Sequence, residues 1–307
     1  MKILVTGGAG FIGSHLVSIL QATGREVVVV DDFSSGSRDN LREFTGEIVE
    51  GSILDTDCLE RAMQGVEQVY HLAAFTSAAG SVEDPILCSE LNVRGFLTVL
   101  TAARSAKCKR IVFASSAAVY GNGPASPKVE DLEPSPESPY ALTKLDGERY
   151  LQILGPLWGM ETVAVRFFNV FGPRQSVDSG YAAAVPNFCV RALKGEDIEI
   201  YGDGEQTRDF VYVEDLVSAL CHLGDDSSYA GVFNVGYGES LGINALAKLV
   251  VEISGSESRI VHLDERLGDV RDSLADVQRL QATNWVPGVG FKEGLARTVA
   301  YYASSAG

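Results

Sequence analysis

The chain has 307 residues, of which 46% are hydrophobic and 21% are charged, so it is long enough for one large or two modest domains with buried cores. The formal net charge of −16 argues against nucleic acid and against an anionic membrane surface as partners, because this protein would repel their phosphates. The five cysteines have irregular spacing and no CxxC pair, which predicts reduced thiols rather than disulfides or a zinc site.

The sequence carries no sign of export or of a membrane span. It begins with an apolar strand and not with a signal peptide, and we see no apolar run near the roughly 20 residues that a membrane-spanning helix needs. We therefore expect a soluble, cytoplasmic protein.

Strands and helices alternate through the first half of the chain. Short apolar runs predict buried strands at 2–6, 26–30, near Ile48, and at 66–71, 109–114 and 161–167. Helical spacing of apolar residues covers 11–21 and a long stretch at 85–105. This alternation predicts an α/β fold with a doubly wound parallel sheet.

The second half has a different organisation. Residues 121–139 hold five of the ten prolines and predict a surface loop. After Phe168 the rhythm is irregular, with helices near 182–193, 214–223 and 243–253. We expect a cofactor-binding domain at 1–167 plus about 209–237. A smaller, mixed α/β substrate domain should cover 168–208 plus about 238–307.

A glycine-rich loop joins the first strand to the first helix. Gly7, Gly10 and Gly13 permit a tight turn and a close approach of backbone to a pyrophosphate, which would lie on the helix N-terminus. Asp31 ends the second strand, eighteen residues past Gly13, near the spacing of about 20 expected for a carboxylate that binds ribose hydroxyls. That carboxylate would repel a 2′-phosphate, so the pattern favours NAD over NADP. A turn or helix-capping role for Asp31 is the alternative.

One tyrosine of the eleven, Tyr140, has a lysine, Lys144, four places later. On a helix this spacing puts both side chains on one face, where the lysine and a bound nicotinamide cation would lower the phenol pKa from about 10. Tyr140 could then act as a general base near neutral pH. Ser116 follows a strongly apolar strand, at the sheet edge where ligands bind in parallel sheets. A surface pair and a solvated turn serine are the structural alternatives.

Six segments together resemble the extended short-chain dehydrogenase/reductase family, and within it the nucleotide-sugar enzymes. The segments are 5–15 (VTGGAGFIGSH), 71–74 (HLAA), 115–121 (SSAAVYG), 166–174 (RFFNVFGPR), 202–210 (GDGEQTRDF) and 266–276 (RLGDVRDSLAD). They follow the family's order over essentially the whole chain, and they are most similar to UDP-glucose and UDP-N-acetylglucosamine 4-epimerases. The resemblance implies a Rossmann-type sheet, bound NAD and a UDP-sugar substrate.

The resemblance also implies roles for individual residues. Ser116, Tyr140 and Lys144 match the catalytic triad. The matching NAD contacts are Gly7, Gly10, Phe11, Ile12, Gly13, Asp31, Asp32, Ser35, Gly36, Ser52, Ile53, Leu72, Ala73, Ala74, Thr76, Asn92, Ser115, Tyr140, Lys144 and Phe167. The matching substrate contacts are Thr76, Ser116, Tyr140, Asn169, Tyr201, Arg208, Arg266, Asp269 and Ser273. No metal is implied. Relatives pair as homodimers through two helices per subunit, which match 85–105 and 140–154.

Two departures from the family pattern bear on specificity. The family often has an aspartate near the adenine, where this chain has Ser52, which weakens a carboxylate contact to the adenine amine. Many relatives also carry Val-Pro-Arg in the loop after His71, where this chain has the sequence SAAGS at 77–81. Any contact of that arginine is lost, so the identity of the sugar stays open.

Several reactions fit this resemblance. The first is 4-epimerisation through a transient 4-keto sugar. Dehydratases place an Asp-Glu pair after the catalytic hydroxyl and decarboxylases tend to keep a glutamate there, whereas this chain has Ala117 and Ala118. Epimerisation of a UDP-uronate, a keto-sugar reductase and, from another class, a non-catalytic NAD-binding protein complete the alternatives. Ser273 matches a gatekeeper position where a tyrosine restricts relatives to glucose and galactose, so its small side chain predicts room for a 2-N-acetyl group.

Overall fold

The computed structural model describes residues 1–177, 183–265 and 271–305. The strands among them are β1 (Lys2–Thr6), β2 (Glu26–Asp31), β3 (Glu47–Glu50), β4 (Gln68–His71), β5 (Arg110–Ser116), β6 (Glu161–Phe167), β7 (Asn169–Phe171), β8 (Ile198–Tyr201), β9 (Thr207–Tyr212), β10 (Gly231–Val235), β11 (Ser240–Gly242), β12 (Ile260–Leu263) and β13 (Asp272–Ser273).

The helices among the described residues are α1 (Phe11–Ala22), α2 (Thr56–Ala62), α3 (Ala78–Glu83), α4 (Pro85–Ser89), α5 (Phe96–Ser105), α6 (Pro139–Trp158), α7 (Ala184–Lys194), α8 (Val213–Asp225), α9 (Ile243–Ser254), α10 (Gln278–Gln281) and α11 (Phe291–Ser305). Short 3-10 helices cover Arg38–Leu41 and Ala117–Tyr120, and a π-helical segment, Glu90–Gly95, joins α4 to α5.

The chain divides into two compact units. The first contains Met1–Gly121, Glu133–Phe167 and Val217–Phe233, and the second contains Asn122–Leu132, Phe168–Leu216 and Asn234–Gly307. The predicted division has the same break after Phe167. It differs at 122–132, which belong to the second unit, and at 209–216, because the first unit resumes only at Val217.

A seven-stranded sheet, in the order β10-β6-β5-β4-β1-β2-β3, organises the first unit. The pairings from β3 to β6 are all parallel, which confirms the predicted doubly wound α/β fold. β1 and β2 are apolar at almost every position because helices cover both faces of a parallel sheet. The carboxyl ends of β1, β2, β4 and β5 form one edge of this sheet, where ligands bind in such folds.

The helix predicted at 85–105 is helical throughout, but its hydrogen-bond pattern changes along its length. α4 and α5 are regular, whereas the intervening segment Glu90–Gly95 is π-helical. By length and composition alone the whole stretch could cross a membrane, contrary to our expectation from the sequence. Its residues Phe96, Val99 and Leu100 are fully buried in the core of the first unit, as in a core helix.

The second unit is built on short strands that the sequence did not reveal. β9 lies between β11 and β13 and also pairs with β7, while β8 and β12 form a separate parallel pair. An aromatic cluster of Phe171, Phe210, Tyr212 and Phe291 fills part of its core, with ring centroids 5.3 to 6.3 Å apart. The predicted helices near 182–193, 214–223 and 243–253 correspond to α7, α8 and α9.

Candidate active site

The glycine loop after β1 is shaped for a close backbone approach. Gly7 has a φ of +70°, and a Cβ on it would lie 2.7 Å from the amide nitrogen of Ala73. A Cβ on Gly13 would lie 2.0 Å from the carbonyl oxygen of Gly7. A Cβ on Gly10 would meet only that same oxygen, at 3.3 Å, so the loop is open there. These contacts fit a loop that receives a diphosphate at the N-terminus of α1.

Asp31 at the end of β2 is tied to this loop. Its Oδ2 accepts the Ala9 N–H at 2.8 Å and its Oδ1 accepts the Phe33 N–H at 2.9 Å. Each carboxylate oxygen can accept a further hydrogen bond, as binding to two ribose hydroxyls requires. Burial raises the pKa of Asp31, and the neighbouring Asp32 adds to this, while the two N–H donors oppose it. Asp31 therefore lies at the end of β2, where a ribose-binding carboxylate was predicted. It also has the turn role that was the alternative interpretation of the sequence.

The loop after β4 is held by a buried amide. Asn92 lies in the π-helical segment, where its oxygen accepts the Phe75 N–H at 2.7 Å. Its nitrogen donates to the Phe75 carbonyl at 3.0 Å and to the Thr143 hydroxyl at 3.0 Å. Both N–H donors of Asn92 are thus used within the protein. It fixes the backbone of the loop that carries Leu72 to Thr76 and links that loop to α6.

The predicted triad lies on β5 and α6 of the first unit. The Ser116 side chain faces the Tyr140 phenol and, by hydrogen bonding, lowers the pKa of that phenol. Lys144 lies one turn further along α6, where its ammonium donates to the Ala114 carbonyl at 2.8 Å and lies 5.8 Å from the centre of the Tyr140 ring. Ser138 caps the start of α6 by accepting the Ala141 N–H, and the buried Ser81 hydroxyl accepts the Tyr140 N–H at 3.0 Å. Ser81 was not recognised from the sequence.

Burial shifts the pKa values of Tyr140 and Lys144 in opposite directions. Burial raises the pKa of Tyr140, the Ser116 hydrogen bond lowers it, and Lys144 is not among its causes. Burial instead lowers the pKa of Lys144 to about 8. The Lys144 ammonium donates to the Ala114 carbonyl and lies 5.8 Å from the centre of the Tyr140 ring. That Lys144 and a bound nicotinamide cation lower the phenol pKa stays a prediction.

Ser115 has a different environment from its neighbour Ser116. Its hydroxyl, 2% exposed, donates to Glu148 Oε1 at 2.5 Å, and Glu148 forms a bidentate ion pair with Arg166. The side chain of Ser115 is therefore used inside the protein, which leaves its backbone for the predicted cofactor contact. Neither Glu148 nor Arg166 was a predicted site residue. Glu148 lies four residues after Lys144, on the same face of α6. This spacing is the feature of the sequence that could have identified it.

The other predicted cofactor residues are spread along the first unit. Ile53 is buried, while Ser35 and Thr76 are exposed. The remainder are partly exposed, as contact residues of a ligand would be: Phe11, Ile12, Gly36, Ser52, Leu72, Ala73, Ala74 and Phe167. Their cofactor contacts stay predictions.

The predicted substrate residues of the second unit surround β9. Asn169 donates to the Asp209 carbonyl at 3.3 Å, Arg208 donates to the Thr207 carbonyl at 2.8 Å, and Ser273 of β13 is the register partner of Arg208. Tyr201 ends β8, and its carbonyl accepts a hydrogen bond from Gln206. Arg266 and Asp269 lie outside the described residues.

Asp209 is the organising group near these residues, although the sequence did not single it out. Its carboxylate is fully buried and accepts the N–H groups of Tyr237, Gly238 and Ala275 at 2.6, 3.0 and 3.1 Å. Burial raises its pKa to about 6 against the effect of these three donors. Because Ala275 follows β13 by two residues, Asp209 fixes the backbone that carries Ser273.

Known proteins resemble this chain along its whole length. UDP-glucose 4-epimerase from Mycolicibacterium smegmatis is 38% identical over 98% of both chains. The structure of UDP-N-acetylglucosamine 4-epimerase from Methanobrevibacter ruminantium M1 covers 99% of this chain and 98% of its own, at 40% identity and a TM-score of 0.95. A UDP-N-acetyl-α-D-glucosaminuronate decarboxylase from Bacillus cytotoxicus is 34% identical over 98% of this chain and 97% of its own.

The family model described as the NAD dependent epimerase/dehydratase family matches residues 3–236, which is most of the chain. That family is NAD-dependent, which confirms the cofactor predicted from Asp31. Together with the glycine loop and the Ser116–Tyr140–Lys144 arrangement, this match establishes that the chain belongs to the NAD-dependent epimerase/dehydratase family, whose members modify nucleotide sugars.

Proposed function

We propose that the protein is a cytoplasmic, NAD-dependent 4-epimerase of UDP-sugars. It interconverts UDP-glucose with UDP-galactose and UDP-N-acetylglucosamine with UDP-N-acetylgalactosamine, through a transient 4-keto sugar. The observation that carries the proposal is the placement of Ser116 at the carboxyl end of β5, with Tyr140 and Lys144 on one face of α6 and Lys144 hydrogen-bonded to the β5 carbonyl of Ala114.

The residues supply proton transfer and orientation. Tyr140 takes the proton from the sugar 4-hydroxyl and later returns it, while Ser116 hydrogen-bonds the same oxygen. Lys144, fixed by the Ala114 carbonyl, keeps two further N–H donors for the hydroxyls of the nicotinamide ribose. Bound NAD, held by the glycine loop and Lys144, would supply reversible hydride transfer at C4. The net reaction is therefore an isomerisation.

Dehydration and decarboxylation are disfavoured by the residues that follow Ser116. Elimination of water requires an additional acid and base near the sugar, and relatives with that activity carry carboxylates directly after the catalytic hydroxyl. Here Ala117 and Ala118 occupy these positions, in a short 3-10 helix that is capped by Ser116 itself. The decarboxylase relative at 34% identity keeps this alternative open to the test below.

Ser273 supports the acetylated substrates. Its side chain is partly exposed, and its backbone is held in register with Arg208. We assign nucleotide contacts to Asn169, Tyr201, Arg208, Arg266 and Asp269, the arginines pairing with the diphosphate. A small residue at position 273 would leave room for the 2-N-acetyl group as the sugar turns over.

A panel of UDP-sugars tests the proposal. The purified protein should interconvert both pairs of substrates, with the products separated by chromatography, and it should retain NAD through purification. Turnover of uronates alone, release of a decarboxylated or dehydrated product, or net oxidation of added NADH would each assign one of the alternative reactions.

Substitution of Ser273 with Tyr tests the substrate range. The added ring should reduce turnover of UDP-N-acetylglucosamine by about 10-fold or more, while turnover of UDP-glucose stays near the wild-type rate, because one unfavourable contact of a few kcal/mol then affects only the larger sugar. Measured kcat/KM values for both sugars check this. Equal losses on both would place Ser273 away from the sugar.

A further inference from the structure

The catalytic helix α6 contacts strand β5 at three successive turns. Tyr140, Lys144 and Glu148 are four residues apart and therefore share one face of the helix. Each makes one hydrogen bond with the segment 114–116 at the end of β5: Tyr140 with the Ser116 hydroxyl, Lys144 with the Ala114 carbonyl and Glu148 with the Ser115 hydroxyl. The first two turns belong to the predicted triad, and the third has no assigned role.

Glu148 is fixed from a second side by Arg166 of β6. Arg166 Nε donates to Oε1 of Glu148 at 2.8 Å, and its Nη2 donates to Oε2 at 2.7 Å. Both residues are almost fully buried, at 2% and 3% exposure, and the guanidinium lies 4.6 Å from the centre of the Tyr120 ring. A bidentate Arg–carboxylate pair restricts orientation as well as distance. The carboxylate that holds Ser115 is therefore locked in place.

A second ion pair lies at the opposite end of β5 and β6. Arg110 and Glu161 are register partners at the start of these strands and form an ion pair at 2.8 Å. The first pair joins α6 to β6, where Arg166 is the register partner of Ser115, and only this pair lies at the edge where parallel sheets bind ligands. The chain thus provides its own comparison between a pair near the reaction centre and a pair remote from it.

A contribution to folding stability does not by itself explain why a buried ion pair lies at this place. The desolvation of two charges offsets much of their attraction, and well-packed apolar residues often replace such pairs without loss of stability. The position beside Ser116 suggests a geometric role instead. Ser115 is peptide-bonded to Ser116, so a shift of one moves the hydroxyl of the other, and misplacement by about 1 Å can cost about 100-fold in rate.

We infer, on the basis of the proposed function, that Glu148 and Arg166 are positioning residues for proton transfer. They hold Ser115, and through it they keep the Ser116 hydroxyl hydrogen-bonded to Tyr140.

Displacement of Ser116 should also change the pH dependence of turnover. The Ser116 hydrogen bond is what lowers the pKa of Tyr140 against the effect of burial. The other titratable groups that face Tyr140 are Cys88 from α4 and Lys144 from α6. If Ser116 moves, it no longer lowers the pKa of Tyr140. The limb of the pH–activity profile that reports the general base then moves to higher pH.

The test compares both ion pairs in the full-length protein. The double variant Glu148→Met with Arg166→Met leaves no charge unpaired and should fold. We expect its kcat to fall by about 100-fold, with an unchanged KM for the UDP-sugar and a pH limb displaced upward. Glu161→Gln should keep the wild-type kcat and pH profile. Glu148→Gln, which keeps the shape but not the charge, should fall between the two.

A folded double variant with wild-type kcat and pH profile would overturn the inference, and so would an equal loss in Glu161→Gln. Ultraviolet difference titration of each protein against its Tyr140→Phe counterpart gives the Tyr140 pKa without substrate. A raised pKa in the double variant alone supports the inference even if no UDP-sugar is turned over. That failure would count only against the proposed function, whereas an unchanged Tyr140 pKa would count against the inference.

Discussion

The reactivity of Tyr140 depends on two opposing contributions from its surroundings. Burial raises its pKa, and the hydrogen bond from Ser116 lowers it. We expect Tyr140→Phe to lower kcat by about 100- to 10,000-fold, which is typical of a lost general base, while NAD still binds. Turnover and NAD titration check this. Tyr150→Phe, on the same helix, is the matched control and should keep full activity; near-normal turnover of Tyr140→Phe would remove it from the mechanism.

Asp31 accepts two backbone N–H groups of the glycine loop region, and we predict that it also binds the cofactor ribose. Asp31→Ala should weaken NAD binding by about 10- to 100-fold, since a charged hydrogen-bond acceptor is lost, and should relax discrimination against NADP. It also removes the acceptor of the Ala9 and Phe33 N–H groups, so part of the loss is structural. Asp55→Ala removes a carboxylate that accepts only a backbone N–H, at the start of α2, and controls for that part. Unchanged preference between the two cofactors would exclude Asp31 from the ribose site.

Spacing and position were enough to predict Ser116, Tyr140 and Lys144, because a strand end and one helical turn fix where those side chains lie. The direction of the Lys144 ammonium could not be predicted, since it depends on which carbonyl of β5 lies within reach. Ser115 illustrates the same limit, because its hydroxyl donates to Glu148, which lies two helical turns beyond Tyr140 on α6 and has no signal in the strand itself.

At the level of elements, apolar runs predicted β1, β2, β4, β5 and β6 because these strands are largely buried and have four to seven residues. The mostly exposed β3 was placed only near Ile48, and β10 was not predicted. β7, β11 and β13 have three, three and two residues, too few for any alternation to be recognised. The π-helical turn at Glu90–Gly95 was also missed, because apolar spacing continues through it. The tertiary contacts of Asn92 with Phe75 and Thr143 accompany that turn.

The packing of β4, α5 and β5 around His71 makes a pH-dependent core. The ring stacks on Phe96 and Phe113, Nδ1 contacts the Thr6 hydroxyl, and burial together with Lys144 lowers the pKa of His71 to about 3. As pH falls from about 6.5 toward about 3, the unfolded chain takes up a proton that the folded chain does not, so stability is lost.

We therefore expect His71 to contribute about 2 kcal/mol to the loss of unfolding free energy between about pH 7.5 and about pH 5. Urea unfolding of the wild type and of His71→Gln at both values measures the contribution, which the variant should lack. His262→Gln, at an exposed histidine, should retain the wild-type pH dependence. Equal pH dependence in wild type and His71→Gln would show that His71 is protonated in the fold.

At the scale of the whole molecule, the composition of the proline-rich loop did not determine to which unit it belongs. The prolines predicted a loop and nothing about its long-range contacts. Residues 122–132 belong to the second unit because the Lys128 N–H donates to the Leu274 carbonyl at 2.8 Å and the Lys128 carbonyl accepts the Asp276 N–H at 2.9 Å. Long-range backbone bonds of this kind have no local sequence signal.

The first unit has an exposed apolar surface through which we expect the protein to assemble. α3, α4 and α6 pack together, and six large apolar side chains on them are 43% to 76% exposed: Val82, Ile86, Leu87, Leu142, Ile153 and Leu157. Ile153 and Leu157 are one turn apart, and Leu142 lies three turns before Ile153, on the same face of α6. Contiguous exposed apolar surface of this kind is typical of protein–protein interfaces.

We predict a homodimer through this surface, with helices from both subunits forming a four-helix bundle. Sedimentation at micromolar concentration should give a dimer, and Ile153→Glu with Leu157→Glu should give a monomer, because each buried pair of introduced carboxylates would repel its symmetry mate. Val286→Glu is the matched control, since Val286 is 73% exposed but belongs to the second unit, and should leave the dimer intact. A wild-type monomer would contradict the prediction. Dissociation by Val286→Glu alone would assign the dimer to another face.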